Sequence, residues 1–116
     1  MAAHLSQPIV ELPVADVVSA QVYYRDRMGF QIAWHNEAGK IGAVSLGDCA
    51  VFFRQTSAPI VPVTLWMFSK NVDAAHAELT RLGAEVVTPL VDTEWDLRQF
   101  TVRDLNGHLL HVFTDP

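Results

Sequence analysis

Residues 95–113 read WDLRQFTVRDLNGHLLHVF and carry the clearest structural signal in the chain. Two segments with strand-like patterns, 98–103 and 108–114, flank the turn residues Asp104 to Gly107. Asp, Asn and Gly are favoured in tight turns, so this stretch predicts an antiparallel hairpin. The hairpin ends a unit whose order of elements is already present in the first half of the chain.

The first half predicts a strand, a helix and then three strands. Alternating apolar residues at 10–14 are typical of a half-buried strand, and Asp16 is a favoured N-cap for the helical pattern that follows. Gly29 ends this helix. Three further strands are predicted at 30–34, 41–46 and 49–54.

The second half repeats this order. A strand is predicted at 63–68, Asn71 caps a helix that ends at Gly83, and three more strands follow. Their predicted bounds are 85–88, 98–103 and 108–114. The residues from Gln55 to Pro62, which include two prolines, form the predicted linker between the halves.

Landmark residues repeat at a nearly constant spacing along the two halves: Val17 with Val72, Gly29 with Gly83, and Gly47 with Gly107. A duplication of this kind within 116 residues indicates one domain, 1–116, made of two packed modules rather than a longer repeat array. The predicted fold is α+β, with two pseudo-symmetric βαβββ modules at about 7–55 and 62–115 that form a cup of curved sheet.

Composition excludes several classes of partner. The formal charge is −5 and the eight Lys and Arg residues are scattered, which does not suit a nucleic-acid-binding surface. Cys49 is the only cysteine, so no internal disulfide is expected. The sequence shows no signal peptide pattern and no apolar stretch of membrane-spanning length, and these features predict a cytoplasmic protein without a membrane partner.

Strand parity predicts which side chains face into the cup. The set is aromatic with a few polar groups, which is typical of a cleft for a small molecule. Its members are Ile9, Glu11, Pro13, Cys49, Val51, Phe53, Thr64, Trp66, Phe68, Gln99, Thr101, Leu109, His111 and Phe113. His4, His76 and His108 are expected to be exposed to solvent.

Four motifs resemble those of the vicinal oxygen chelate superfamily, which contains glyoxalases, bleomycin-resistance proteins and dioxygenases. They are Pro13-Val14-Ala15-Asp16-Val17, residues 23–30 (YYRDRMGF), residues 95–100 (WDLRQF) and residues 103–108 (RDLNGH). The resemblance covers nearly the whole chain and implies a fold of paired βαβββ modules.

Enzymes of that superfamily hold a divalent metal on cup-facing strands. Alignment by the landmarks assigns the ligand positions to Ile9, Val51, Thr64 and His111. Ile and Val have no donor atom, Thr is a poor ligand, and one His does not hold a metal alone. The sequence therefore predicts no metal site, no cofactor and no catalytic residue, and favours a protein that is not an enzyme.

Among the branches of the superfamily, the chain is most similar to the bleomycin-resistance proteins. The resemblance implies antibiotic resistance by drug binding, in which a planar aromatic antibiotic or drug-like molecule is sequestered unchanged between Trp34 and Trp95. It also implies a homodimer, since proteins of this branch typically form dimers with exchanged N-terminal strands. The predicted ligand-binding residues are Trp34, Phe53, Trp66, Phe68, Trp95, Gln99 and His111.

Two alternatives remain open from the sequence. A register shift of two residues would keep the facing direction and bring in Glu11 and His35 as metal ligands. Glu11 together with His111 would allow a metal-dependent glyoxalase-like lyase or dioxygenase with a rearranged ligand set. The other alternative is a structural or regulatory module whose cup is filled by its own side chains.

Overall fold

The computed structural model describes residues 2–116 and shows the predicted α+β fold of two βαβββ modules. The first module contains β1 (Val10–Val14), α1 (Val17–Met28), β2 (Gln31–Asn36), β3 (Ile41–Leu46) and β4 (Cys49–Gln55). The second contains β5 (Thr64–Phe68), α2 (Val72–Leu82), β6 (Glu85–Asp92), β7 (Arg98–Arg103) and β8 (Leu109–Thr114).

Both helices begin and end at the residues that the sequence predicts. The Asp16 carboxylate accepts a hydrogen bond from the Ser19 backbone N–H at 2.8 Å, and the Asn71 side chain accepts one from Ala74 at 3.0 Å. Gly29 ends α1 with a φ of 75°, in the left-handed region that favours glycine. The longest helix has 12 residues, and none among residues 2–116 is long and apolar enough to cross a bilayer.

Each module forms a four-stranded mixed sheet, and the two sheets have the same topology. The strand orders are β1-β4-β3-β2 and β5-β8-β7-β6, with one parallel pair in each, β1 with β4 and β5 with β8. By this equivalence, the pair of Glu11 and Phe52 in the first sheet corresponds to the pair of Trp66 and His111 in the second. One face of each sheet is covered by its helix and the other is open.

The structure corrects the predicted facing direction of β4. Val51 and Phe53 pair with Val10 and Leu12, so they share the face that packs against α1. Both side chains are fully buried, and the Phe53 ring lies 4.9 Å from that of Tyr24. The prediction that Phe53 faces the cup and binds ligand was therefore wrong, because Cys49 to Phe53 is continuously apolar and has no alternation that fixes its parity.

The two modules meet where α1 and the end of β1 contact the turn between β7 and β8, which we call the module junction. The Tyr24 hydroxyl donates to Asp104 Oδ2 at 2.6 Å, and His108 Nε2 lies 2.7 Å from the Pro13 carbonyl oxygen. His108 Nδ1 accepts from the Val63 backbone N–H at 2.9 Å. His108 is completely buried, so the expectation of a solvent-exposed turn histidine was wrong.

Candidate functional site

The open face of the second sheet is the largest aromatic surface of the described chain, and we call it the second-module face. Two rows of side chains that run across strands β5, β8 and β7 form this face. The first row is Trp66, His111 and Thr101, and the second is Phe68, Phe113 and Gln99. Sequence parity predicts these six residues on one face, and the register of the sheet brings them together.

The aromatic rings of this face are in mutual contact. The Trp66 ring centroid lies 4.4 Å from that of His111 and 5.7 Å from that of Phe113, and Phe68 lies 5.8 Å from Phe113. Trp66 nevertheless remains 50% exposed and Phe68 56% exposed. Large aromatic side chains that stay open to solvent in a contiguous patch mark a surface for binding rather than a packed core.

Trp95 stands at the edge of the second-module face and is 57% exposed. Its loop is closed by Thr93, whose Oγ1 contacts both the Leu97 carbonyl oxygen and the Leu97 backbone N–H. The indole Nε1 donates to Gln99 Oε1 at 3.1 Å. The loop and the strand therefore position the indole together, a contact that the spacing of the two residues alone does not reveal.

The open face of the first sheet carries a smaller aromatic pair. Trp34, Ala43, Phe52 and Glu11 lie opposite one another across the four strands, and the Trp34 and Phe52 rings are 5.0 Å apart. Phe52, which sequence reasoning missed, takes the place on this face that was predicted for Phe53. Its pairing with Glu11, whose outward parity is clear from β1, is the signal that identifies it.

Trp34 lies on β2 of the first sheet and Trp95 in the loop between β6 and β7 of the second, and their rings make no mutual contact within residues 2–116. Trp34 is 42% exposed, so its outer surface is free of other parts of the chain. The binding of a planar ring between these two indoles stays a prediction.

A groove of about 1070 Å³ runs between the two modules along the edge strand β5. Trp66 and Phe68 form part of its wall, together with the helix-facing residues Leu65 and Met67. The wall also includes Cys49 at the β3–β4 turn, a free thiol whose pKa is raised by burial. The second-module face is thus continuous with a cleft large enough to take part of a drug-sized molecule.

The two arginines of β7 form ion pairs with carboxylates. Arg98 donates to Asp73 at 2.8 Å and to Asp92 at 3.1 Å, and its guanidinium holds the pKa of the Asp73 carboxyl below the usual range. Arg103 donates to Glu85 at 2.8 Å. Both guanidinium groups are therefore already engaged by carboxylates of the same chain.

The donor set does not fit a divalent metal. Of the four predicted ligand positions, Ile9 and Thr64 lie at the start of the open faces of the first and second sheets, and His111 lies on the open face of the second sheet. Val51 instead faces the helix, so the residue of the first sheet that corresponds to His111 is Phe52. Glu11, the residue needed for the rearranged ligand set, pairs with Arg54 at 3.0 Å and lies in the other sheet from His111. Across residues 2–116, no three His, Cys, Asp or Glu side chains are grouped as metal ligands.

Comparison with known proteins places this site in a family context. Residues 4–112 match the family model described as the Glyoxalase/Bleomycin resistance protein/Dioxygenase superfamily. No protein with a curated function matches the sequence significantly.

Among solved structures, TioX from Micromonospora sp. ML1 is 27% identical and superposes with a TM-score of 0.82, over 96% of this chain and 100% of that one. An integron cassette protein from the mobile metagenome of Halifax Harbour Sewage Outfall has 15% identity and a TM-score of 0.81, over 95% and 99%. A glyoxalase/bleomycin resistance protein/dioxygenase from Nocardioides has 15% identity and a TM-score of 0.74, over 97% and 86%.

Proposed function

Since the chain belongs to the glyoxalase/bleomycin resistance protein/dioxygenase superfamily, we propose that it binds a planar aromatic antibiotic or drug-like molecule and sequesters it unchanged. The observation that carries this proposal is the second-module face, where Trp66, Phe68 and Trp95 keep half or more of their surface open. Stacking on such rings excludes water from a large area and costs little rotamer entropy. In this proposal the protein acts in the cytoplasm.

Binding without reaction is favoured by the chemistry of the open faces. His111 is the one imidazole of the second-module face, and its Nδ1 is engaged by the Thr101 hydroxyl at 2.6 Å. The donor set that a metal-dependent lyase or dioxygenase of this superfamily requires is not assembled, since one His and one Thr do not hold a divalent ion against water. Sequestration is therefore the function that these residues support best.

The proposal predicts that bleomycin, or another planar aromatic peptide antibiotic, quenches tryptophan fluorescence and binds with a stoichiometry measurable by calorimetry. Trp66→Ala should weaken binding at least tenfold, because it removes a ring that offers both stacking and apolar area. Val61→Ala, a change at a 77% exposed linker residue, is the matched control and should bind normally.

Two further readouts separate binding from catalysis. Mass spectrometry should recover the ligand unchanged after long incubation, and elemental analysis should find no stoichiometric transition metal. If none of the aromatic antibiotics binds, or if the recovered ligand is converted to a product, sequestration is the wrong function.

Members of the superfamily commonly bind small molecules and often form dimers. We propose that this chain forms a homodimer with exchanged N-terminal strands, in which Trp34 of a second copy approaches the second-module face. Support comes from two exposed indoles, Trp34 on the first sheet and Trp95 at the edge of the second-module face, each of which leaves a large apolar surface open to a partner.

Sedimentation equilibrium should then give twice the 12.9 kDa mass of one chain. Trp34→Ala should weaken antibiotic binding several-fold in the dimer, since a second stacking ring contributes less than the first when the ligand is already held on one side. A monomer at the highest concentration reached, with ligand still bound, would contradict the dimer but not the binding function.

A further inference from the structure

Gln99 presents an unused hydrogen-bond donor to the second-module face. The residue is only 6% exposed, and its Oε1 accepts from the Trp95 indole. An indole N–H can only donate, so the oxygen of the Gln99 amide must face Trp95 and the NH₂ group must point away. This NH₂ group has no hydrogen-bond partner among residues 2–116, and it is not sealed from solvent.

His111 presents a second donor. The Thr101 hydroxyl, on a residue 2% exposed, lies 2.6 Å from His111 Nδ1 and has no other partner in the described chain. If Nδ1 carried the ring proton, the Thr101 hydroxyl hydrogen would be buried without an acceptor, which is unfavourable. The hydroxyl therefore donates to Nδ1, and the neutral ring carries its proton on Nε2.

The two donors are close together within the aromatic surface. Gln99 lies opposite Phe113 and Thr101 lies opposite His111 across the antiparallel pair of β7 and β8. Gln99 and His111 are thus diagonal neighbours, whose Cα atoms are typically about 7–8 Å apart. One edge of a single planar ring system spans such a distance.

We propose that the ligand of the second-module face carries a hydrogen-bond acceptor, a carbonyl oxygen or an aromatic ring nitrogen, on the edge that Gln99 Nε2 and His111 Nε2 address. This inference rests on the proposed function and narrows it from planar aromatic molecules in general to those with an acceptor edge. Gln99 is the specificity-determining residue, because it also holds Trp95 in place and so couples the hydrogen bond to the stacking surface.

The test uses two bicyclic rings of similar size, coumarin, which has a carbonyl acceptor, and naphthalene, which has none. Binding is followed by NMR on ¹⁵N-labelled protein. Coumarin should bind about tenfold more tightly than naphthalene, and it should shift the Gln99 side-chain NH₂ resonance. The histidine ¹H–¹⁵N spectrum of the free protein should show His111 with its proton on Nε2.

Gln99→Glu is the matched variant, because the carboxylate still accepts from the Trp95 indole while the amide donor is gone. It should reduce the ratio of coumarin to naphthalene affinity several-fold, because one of the two donors is lost. His111→Phe, which keeps a ring beside Trp66, is a second variant and should reduce the preference in the same direction. Thermal unfolding confirms that each variant is folded.

The outcomes are distinct. Equal binding of the two rings to the natural protein overturns this inference and leaves aromatic binding intact, as does a preference that survives in both variants. If the His111 ring proton is found on Nδ1, His111 is not the second hydrogen-bond donor to the ligand. If neither ring binds, and no antibiotic binds either, the proposed function fails and this inference fails with it.

Discussion

Asp104→Ala is expected to lower the free energy of unfolding by about 3 kcal/mol. The side chain belongs to a residue only 4% exposed, and it accepts three hydrogen bonds. Its Oδ2 accepts from the Tyr24 hydroxyl at 2.6 Å, and its Oδ1 accepts from the backbone N–H groups of Asn106 and His108 at 2.9 Å each. Alanine would leave these donors without a partner where water enters poorly, and urea denaturation measures the loss.

Tyr24→Phe and the double variant complete this experiment. Phenylalanine keeps the ring that packs on Phe53 and Phe30 and removes one hydrogen bond, so it should cost less than Asp104→Ala. The two changes should be non-additive, because they remove the same contact. Additive losses, or a loss below about 1 kcal/mol for Asp104→Ala, would contradict the importance assigned to this carboxylate.

The environment of the Tyr24 hydroxyl also makes the stability of the protein depend on pH in the alkaline range. Burial, with a further contribution from Asp104, raises the pKa of Tyr24 well above its usual value of 10.0. The unfolded chain therefore loses the phenolic proton first as pH rises, so the unfolded state binds fewer protons than the folded state above pH 10. The contribution of Tyr24 to the free energy of unfolding is therefore fully present below that pH and declines above it. The decline should be shallower in Tyr24→Phe.

His108→Leu is expected to cost about 3 kcal/mol as well, for a different reason. The imidazole joins the modules by accepting from Val63 and donating to Pro13, and leucine fills similar space without doing either. The Val63 N–H and the Pro13 carbonyl then lose their partner at half-buried positions beside a fully buried side chain. Chemical denaturation of the variant measures the effect.

His4→Leu is the control, since His4 lies exposed near the N-terminus and the same substitution there removes no described contact. Its unfolding midpoint should match that of the natural chain. Equal stability of the His4 and His108 variants would show that the junction does not depend on the imidazole.

Local sequence patterns predicted most of the fold because the interactions that form these elements join residues close together in the sequence. Asp16 and Asn71 cap helices through groups three residues away, and Gly29 and Gly83 take left-handed conformations that the helix ends require. Strand alternation likewise predicted the aromatic side of β5 and β8 correctly, because Thr64 to Phe68 and Leu109 to Phe113 sit with one face open and one covered.

The predictions that were wrong concern residues whose positions depend on contacts with parts of the chain distant in sequence. The parity of β4 is set by its pairing with β1, 41 positions earlier, and not by its own continuously apolar sequence. His108 looks like a surface turn residue, and only Pro13, 95 positions away, makes it a buried one. The Trp95–Gln99 hydrogen bond depends on how a loop folds back, which residue types alone do not specify.

The module junction has a consequence for the order of folding. Its hydrogen bonds join residues 80, 91 and 95 positions apart, from the first strand and helix to the final turn. Contacts of such separation carry a high loop-closure cost and form late. During synthesis the first module precedes the last hairpin, so the junction surface of the first module stays uncovered until residues 104–108 have been made.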